Sequence, residues 1–108
     1  MKSVIITGGT GFIGSTLTAR LSQCLPTGEK LFAPGSKDID LVNREDSLKW
    51  FERLHWVNEI THIFHLAAVY KAGGWPTTHP GTQFHANMQM NLNVLEGWKR
   101  FFPKAQLT

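Results

Sequence analysis

A single cysteine, Cys24, is all the sequence offers for disulfide chemistry, so no internal bridge can form and a secreted disulfide scaffold is excluded. A reducing, cytoplasmic setting fits. Long apolar runs are missing as well: nothing approaches the roughly 18 consecutive apolar residues of a membrane-spanning helix. Met1-Lys2-Ser3 leads through three apolar residues straight into glycines, which leaves no room for the apolar region of a signal peptide. The expectation is a protein neither exported by that route nor placed in a membrane. Clustered charge is also absent. Eleven Lys and Arg stand scattered against eight acids, a net charge of +3, without the clustered basic stripe that nucleic-acid binding usually shows. No low-complexity tract or internal repeat occurs.

The composition is that of an ordinary globular chain. Apolar residues make up 42% and charged residues 18% of 108 positions, too apolar for intrinsic disorder. That length allows one domain, burying about 65% of the surface exposed by the unfolded chain. The small excess of positive charge reads first as an ordinary solvated surface, and would also suit a phosphate-bearing small molecule.

Val4-Ile5-Ile6, ended by Gly8, predicts a parallel strand covered on both faces. Phe12, Ile13, Leu17, Leu21 and Cys24 then recur at helical spacing until Pro26 and Gly28, which predicts a helix packed on the sheet. Leu31-Phe32-Ala33 is the second strand, closed by Pro34-Gly35, and Ile39-Asp40-Leu41 reads as a very short third. Asn43, with Asp46 three residues on, caps a helix whose buried stripe is Leu48, Phe51, Leu54 and Val57. Trp50 and Trp56 are read as packing residues. Ile63 to Ala68 is a further strand, Val69 to Gly81 a loop, and Thr82 to Phe102 a helix ended by Pro103, with Phe84, Met88, Leu92 and Leu95 following in turn.

Strands alternating with helices imply parallel pairing through right-handed crossovers, and so an α/β class: a Rossmann-type open parallel sheet with helices on both faces. Of the order 3-2-1-4-5-6 only strands 3-2-1-4 are expected here, with one apolar edge left unpaired. Gln106-Leu107-Thr108 looks like the start of a next strand. Residues 1–108 are thus expected to be the first half of a nucleotide-binding domain, without its catalytic and substrate-binding remainder.

Thr7-Gly8-Gly9-Thr10-Gly11-Phe12-Ile13-Gly14 joins the first strand to the first helix. In that setting Gly8 permits the tight turn, Gly11 presents no Cβ to an approaching pyrophosphate, and Gly14 lets helix and strand pack closely, while free amides at the helix start hold the anion. A triphosphate loop is excluded, because no Gly-Lys-Ser/Thr ends the segment. The ligand expected is a dinucleotide. Beyond the second strand stand Ser36 and Lys37, able to donate to a 2′-phosphate, so NADP is favoured; Asp38 leaves NAD as the alternative.

The spacing Gly8-x-x-Gly11-x-x-Gly14 and a strand ending in Leu66-Ala67-Ala68 resemble the extended short-chain dehydrogenase/reductase (NAD-dependent epimerase/dehydratase) family. Ser36 to Leu41, Thr61 to Ala68 followed by Gly73-Gly74, and Asn87-Met88-x-x-Asn91-x-Asn93-Val94-Leu95 are similar to its GDP-L-fucose synthase branch. That resemblance implies that Gly8, Gly11, Phe12, Ile13 and Gly14 wrap the pyrophosphate and that Ser36 and Lys37 meet the 2′-phosphate. It also implies that Asp40 and Leu41 border the adenine, that Leu66, Ala67 and Ala68 line the ribose and nicotinamide side, and that Gly73 and Gly74 begin a loop facing a nucleotide-sugar substrate. The implied activity of the complete enzyme is epimerisation of GDP-4-keto-6-deoxy-D-mannose at C3 and C5 and NADPH-dependent reduction at C4. Another NAD(P)-dependent sugar-nucleotide epimerase or dehydratase, or a non-catalytic NADP-binding module, are the alternatives.

Val69-Tyr70-Lys71-Ala72 makes the interval before Gly73 longer than is usual in that branch. The family's Ser or Thr, its Tyr-x-x-x-Lys pair and its epimerising Cys and His find no counterpart: Tyr70, the only tyrosine, is followed four positions on by Gly74. No catalytic residue is therefore assigned, and the chain alone is expected to be inactive. No metal site is assigned either. His79 and His85 read as surface or helix-capping residues. The family's habit of pairing through a four-helix bundle makes a homodimer, with the last helix contributing, a further expectation.

Overall fold

The computed structural model describes residues 2–56, 58–68 and 80–108. Strand β1 (Lys2–Thr7) runs into helix α1 (Phe12–Cys24), followed by β2 (Lys30–Phe32), α2 (Arg44–His55), β3 (Glu59–His65), α3 (Pro80–Phe101) and β4 (Gln106–Leu107). All pairings are parallel, in the order β2-β1-β3-β4. The chain thus starts in the middle of the sheet, moves one way to β2 and crosses back to β3, as the α/β reading requires.

Two strand expectations are corrected. Ile39-Asp40-Leu41 forms no strand, because its main chain is satisfied outside the sheet: the Asp40 amide donates to Asp46 Oδ2 at 2.7 Å, the Asp40 carbonyl accepts the Asn43 amide at 3.0 Å, and the Leu41 carbonyl accepts Asn93 Nδ2 at 2.7 Å. Ile39 and Leu41 are nonetheless buried. The apolar–polar–apolar pattern recorded burial, which a turn delivers as well as a strand does. Nor is the edge of β3 bare. β4 pairs with it, the Thr108 amide donating to the Ile63 carbonyl and the His65 amide to the Thr108 carbonyl at 2.9 and 2.8 Å.

One face of the sheet carries the core: Ile5, Ile60 and Ile63 pack against Phe51 of α2 and Val94 of α3, with Phe102 and Ala105 closing the end. Ile60 and Ile63 are three positions apart, which in a regular strand would send them to opposite faces. A register irregularity opposite Ser3/Val4, where Thr61 is skipped, brings both to the same side. Phe51 is fully buried, and its ring lies where a Cβ on Gly97 would be, so α2 and α3 approach closely. Leu48 and Leu54 flank it half-buried, as the helical stripe anticipates; Val57 lies outside the described residues. The cap on α2 is present, Asn43 Oδ1 accepting the Asp46 amide at 2.9 Å, and Arg44 and Arg100 both pair with Glu96 of α3.

On the other face Val4 and Ile6 are buried, yet the helix over it packs loosely. Helix α1 buries only Gly14, holds Leu17 and Leu21 half-buried, and leaves Cys24 exposed with Phe12 at 93% and Ile13 at 67%. The expected sheet-packing stripe is therefore only half used. Trp50 packs on the core, whereas Trp56 is 75% exposed and meets the His55 ring edge-on. On α3 the apolar series Phe84, Met88, Leu92 and Leu95 points outward, and the buried side is Asn93, Val94 and Gly97. Among the described residues no helix is long and apolar enough to cross a membrane.

Phe51→Ala is expected to lower the unfolding free energy by about 3–5 kcal/mol, a large part of the roughly 5–15 kcal/mol total of such a domain. Asn43→Ala should cost about 1 kcal/mol through the lost cap, and Trp56→Ala less than about 0.5 kcal/mol. Urea denaturation of the three variants checks this ranking.

Candidate functional site

Parallel strands that leave the sheet's middle in opposite directions open a crevice at their carboxyl ends. Here β1 and β3 end level, Thr7 opposite His65. Beyond Thr7 the chain turns at Gly8, whose φ of +70° belongs to the left-handed region. A side chain at Gly8 is doubly forbidden, since its Cβ would stand 2.7 Å from the Ala67 amide nitrogen. At Gly14, a Cβ would collide with the Gly8 carbonyl. Both glycines hold the loop flat against the strand end.

The result is a cleft of about 450 Å³, within the range of small-molecule sites. Gly8, Thr10 and Gly11 form its floor, Pro34, Gly35 and Ser36 one lip, Ile39, Asp40 and Leu41 a side wall, and Leu66, Ala67, Ala68 and Met90 the opposite wall. Among the described residues Asp40 is the single charged side chain in this lining. Its carboxylate is engaged, Oδ1 accepting the Val42 amide at 3.1 Å.

Helix α1 starts beside this floor at Gly11, without a side-chain cap and with no acid in its first turn. Its first amides are thus uncompensated donors at the positive end of the helix dipole, which suits an anion. Beyond β2, Asp38 Oδ2 accepts the Gly35 amide at 2.8 Å, so this acid is folded back on the main chain. Ser36 and Lys37 are exposed. The donor set therefore fits a phosphate there better than a ribose hydroxyl in need of a free carboxylate.

Eight residues singled out from the sequence meet in this one cleft: Gly8, Gly11, Ser36, Asp40, Leu41, Leu66, Ala67 and Ala68. Phe12, Ile13 and Gly14 do not line it; the first two point their side chains to solvent and offer only main chain near the helix start. Lys37 stands just past the lip, next to Ser36. Gly73 and Gly74, with Tyr70, Lys71, Trp75 and His79, lie outside the described residues. His85 is exposed on α3. Thr10, Pro34, Gly35, Ile39 and Met90 were not anticipated. Thr10 sits inside the glycine motif and was legible there; Met90 is brought in by α3, and no local pattern announces it.

Behind the wall formed by Leu66 and Ala67 lies a polar network. Thr7 Oγ1 accepts both of their amides, at 3.1 and 3.2 Å, and meets His65 Nδ1 at 2.6 Å, while His65 Nε2 reaches Asn91 Oδ1 at 2.8 Å. Burial lowers the pKa of His65 below its usual value, against a smaller upward pull from Asn91. Among the described residues, no group of three or more His, Cys, Asp or Glu could hold a metal ion.

The profile of the NAD dependent epimerase/dehydratase family matches residues 4–107. A probable GDP-L-fucose synthase of Drosophila melanogaster is 39% identical over 95 residues, covering 88% of this chain and 25% of that protein. The GDP-L-fucose synthase of Dictyostelium discoideum is 29% identical over 102 residues, 93% of this chain and 30% of its own length. A crystal structure of a GDP-L-fucose synthetase from Naegleria fowleri bound to NADP superposes with a TM-score of 0.73 at 26% identity, over 93% of this chain and 28% of that one. The chain spans between a quarter and a third of the curated relatives it matches. A profile match over nearly every residue makes the membership plain: the chain belongs to the NAD dependent epimerase/dehydratase family.

Proposed function

We propose that this chain is the NADP-binding portion of a GDP-L-fucose synthase, an enzyme that epimerises GDP-4-keto-6-deoxy-D-mannose at C3 and C5 and then reduces C4. The observation that carries the reading is the cleft itself, where a helix start free of caps and acids meets the ends of β1, β2 and β3. The similarity to two curated GDP-L-fucose synthases and to an NADP-bound synthetase supports the specific enzyme.

In this reading the amides of Phe12, Ile13 and Gly14, with Gly8 and Gly11 kept clear of side chains, hold the pyrophosphate. Ser36 and Lys37 bind the 2′-phosphate, Asp40 and Leu41 border the adenine, and Leu66, Ala67 and Ala68 line the ribose and nicotinamide side. Gly73 and Gly74 are assigned to the nucleotide-sugar side by the resemblance alone. When bound, the cofactor supplies the hydride for C4. This chain's share is to orient it and exclude water from one side, since carbons beside a ketone lose protons readily and need their acid and base from elsewhere in the protein. Asp38, committed to Gly35, favours NADP over NAD. The outward stripe Phe84, Met88, Leu92 and Leu95 supports a homodimer built on α3, and the exposed, unpaired Cys24 supports a reducing cytoplasm.

The adenosine half of the site lies wholly within these residues, so quenching of tryptophan fluorescence by adenosine 2′,5′-bisphosphate and by 5′-AMP measures it directly. The bisphosphate should bind at least about tenfold tighter, since a charge-assisted phosphate contact is worth about 1.5–3 kcal/mol. Ser36→Ala with Lys37→Ala should erase that difference; equal affinities in the native chain overturn the NADP assignment. With NADPH and GDP-4-keto-6-deoxy-D-mannose the chain alone should consume no NADPH, and steady turnover would refute its assignment as the binding portion only. Sedimentation should show a dimer that Leu92→Glu dissociates, whereas a native monomer at all concentrations refutes the pairing.

A further inference from the structure

The polar network behind the cleft wall can be solved for its protons. A hydroxyl has one proton to give and two lone pairs, and Thr7, at 1% exposure, has no water to turn to. Two amides point at its oxygen, Ala67 at 3.2 Å and Leu66 at 3.1 Å, the latter shared with the Thr7 carbonyl at 3.2 Å. Amides only donate. The hydroxyl proton is therefore left for His65 Nδ1 at 2.6 Å, and that nitrogen must carry a bare lone pair. The ring proton then sits on Nε2, which donates to Asn91 Oδ1 at 2.8 Å. The opposite tautomer would set an N–H of the ring against Thr7 Oγ1 as a third donor and strand the Thr7 proton without an acceptor.

We infer that His65, as its neutral Nε2–H tautomer, is a positioning residue that acts through Thr7 to fix the Leu66–Ala67 main chain, and so the wall of the cleft. Its importance for function rests on the cofactor reading above; its effect on the main chain does not. Protonating the ring removes the acceptor that orients the Thr7 hydroxyl, so acid releases the wall. Among the described residues the ring's partners on β1 and α3, Thr7 and Asn91, are uncharged, and Leu66 to Ala68 bring no charge. From the residue after β4 comes only the main-chain carbonyl of Thr108, which accepts the main-chain amide of His65. Burial keeps the ring neutral below its ordinary pKa of 6.5. Because the unfolded chain takes up that proton first, stability should be constant above about pH 7.5 and fall as pH drops through 6.5 toward the lower folded value.

Nitrogen-15 NMR of the histidine-labelled chain at neutral pH should show His65 protonated at Nε2 and bare at Nδ1; a ring protonated at Nδ1 overturns the inference, and this test needs no variant. Amide hydrogen exchange then reads the wall. His65→Gln, which keeps a group near the Nε2 position and loses the one at Nδ1, should speed exchange at Leu66 and Ala67 by about tenfold or more while Ile5 and Ile63 stay within about threefold, local opening being separable from global unfolding. His65→Asn, whose amide oxygen falls near the Nδ1 position, should restore most of the protection. Uniform acceleration at all four amides, or equal behaviour of the two variants, overturns the positioning role. Failure of the native chain to bind adenosine 2′,5′-bisphosphate, with tautomer and exchange as described, would sink the cofactor reading and leave this one standing.

Discussion

Everything at the candidate site hangs from the register of β1 against β3, with Thr7 level with His65. Because both strands stop at the same height and run the same way, their chains must separate at that level, and the crevice follows. Gly8 turns the first chain away at φ +70° while the Ala67 amide occupies the space a side chain would need. Shift the register by one residue and Thr7 loses the amides of Leu66 and Ala67, while Ile5 and Ile63 no longer share the buried face. The same pairing thus sets the floor of the cleft, one of its walls and the centre of the core.

The second organising feature is the choice of face made by α3. Its most regular apolar series, Phe84, Met88, Leu92 and Leu95, lies outward, and the helix turns Asn93 inward at 1% exposure instead. That is intelligible once the turn before α2 is considered. The Leu41 carbonyl is buried beneath α3, and Asn93 Nδ2 satisfies it at 2.7 Å; an orphaned carbonyl there would cost about 1–3 kcal/mol. Gly97, four positions on, makes room for the Phe51 ring. One polar partner and one missing side chain therefore outweigh a series of apolar residues, and the same rotation brings Asn91 to His65 and Met90 to the cleft.

Local chemistry explains where reading the chain by pattern succeeds. The glycine motif, the cap at Asn43, the Phe51 stripe and the strand at Val4 to Ile6 depend on neighbours within a few positions, and each stands where its spacing places it. Reading fails where a partner from afar decides. Ile39 to Leu41 alternates like a strand and is a turn because Asp46 and Asn93 take its hydrogen bonds; Phe12 and Ile13 repeat like a buried stripe and stay exposed on the loosely packed α1.

What the sequence by itself determined is the alternation of strands and helices outside Ile39 to Leu41 and the glycine-bearing turn, since these follow from backbone freedom and short-range periodicity. Only the tertiary structure decided which side of α1 and α3 is covered, that Asp38 folds back on Gly35 while Ser36 and Lys37 stay open, and that Thr7, His65 and Asn91 share protons across three elements. The physical reason is that a hydrogen-bond donor is indifferent to sequence distance: it is satisfied by whichever acceptor the packed chain brings within reach.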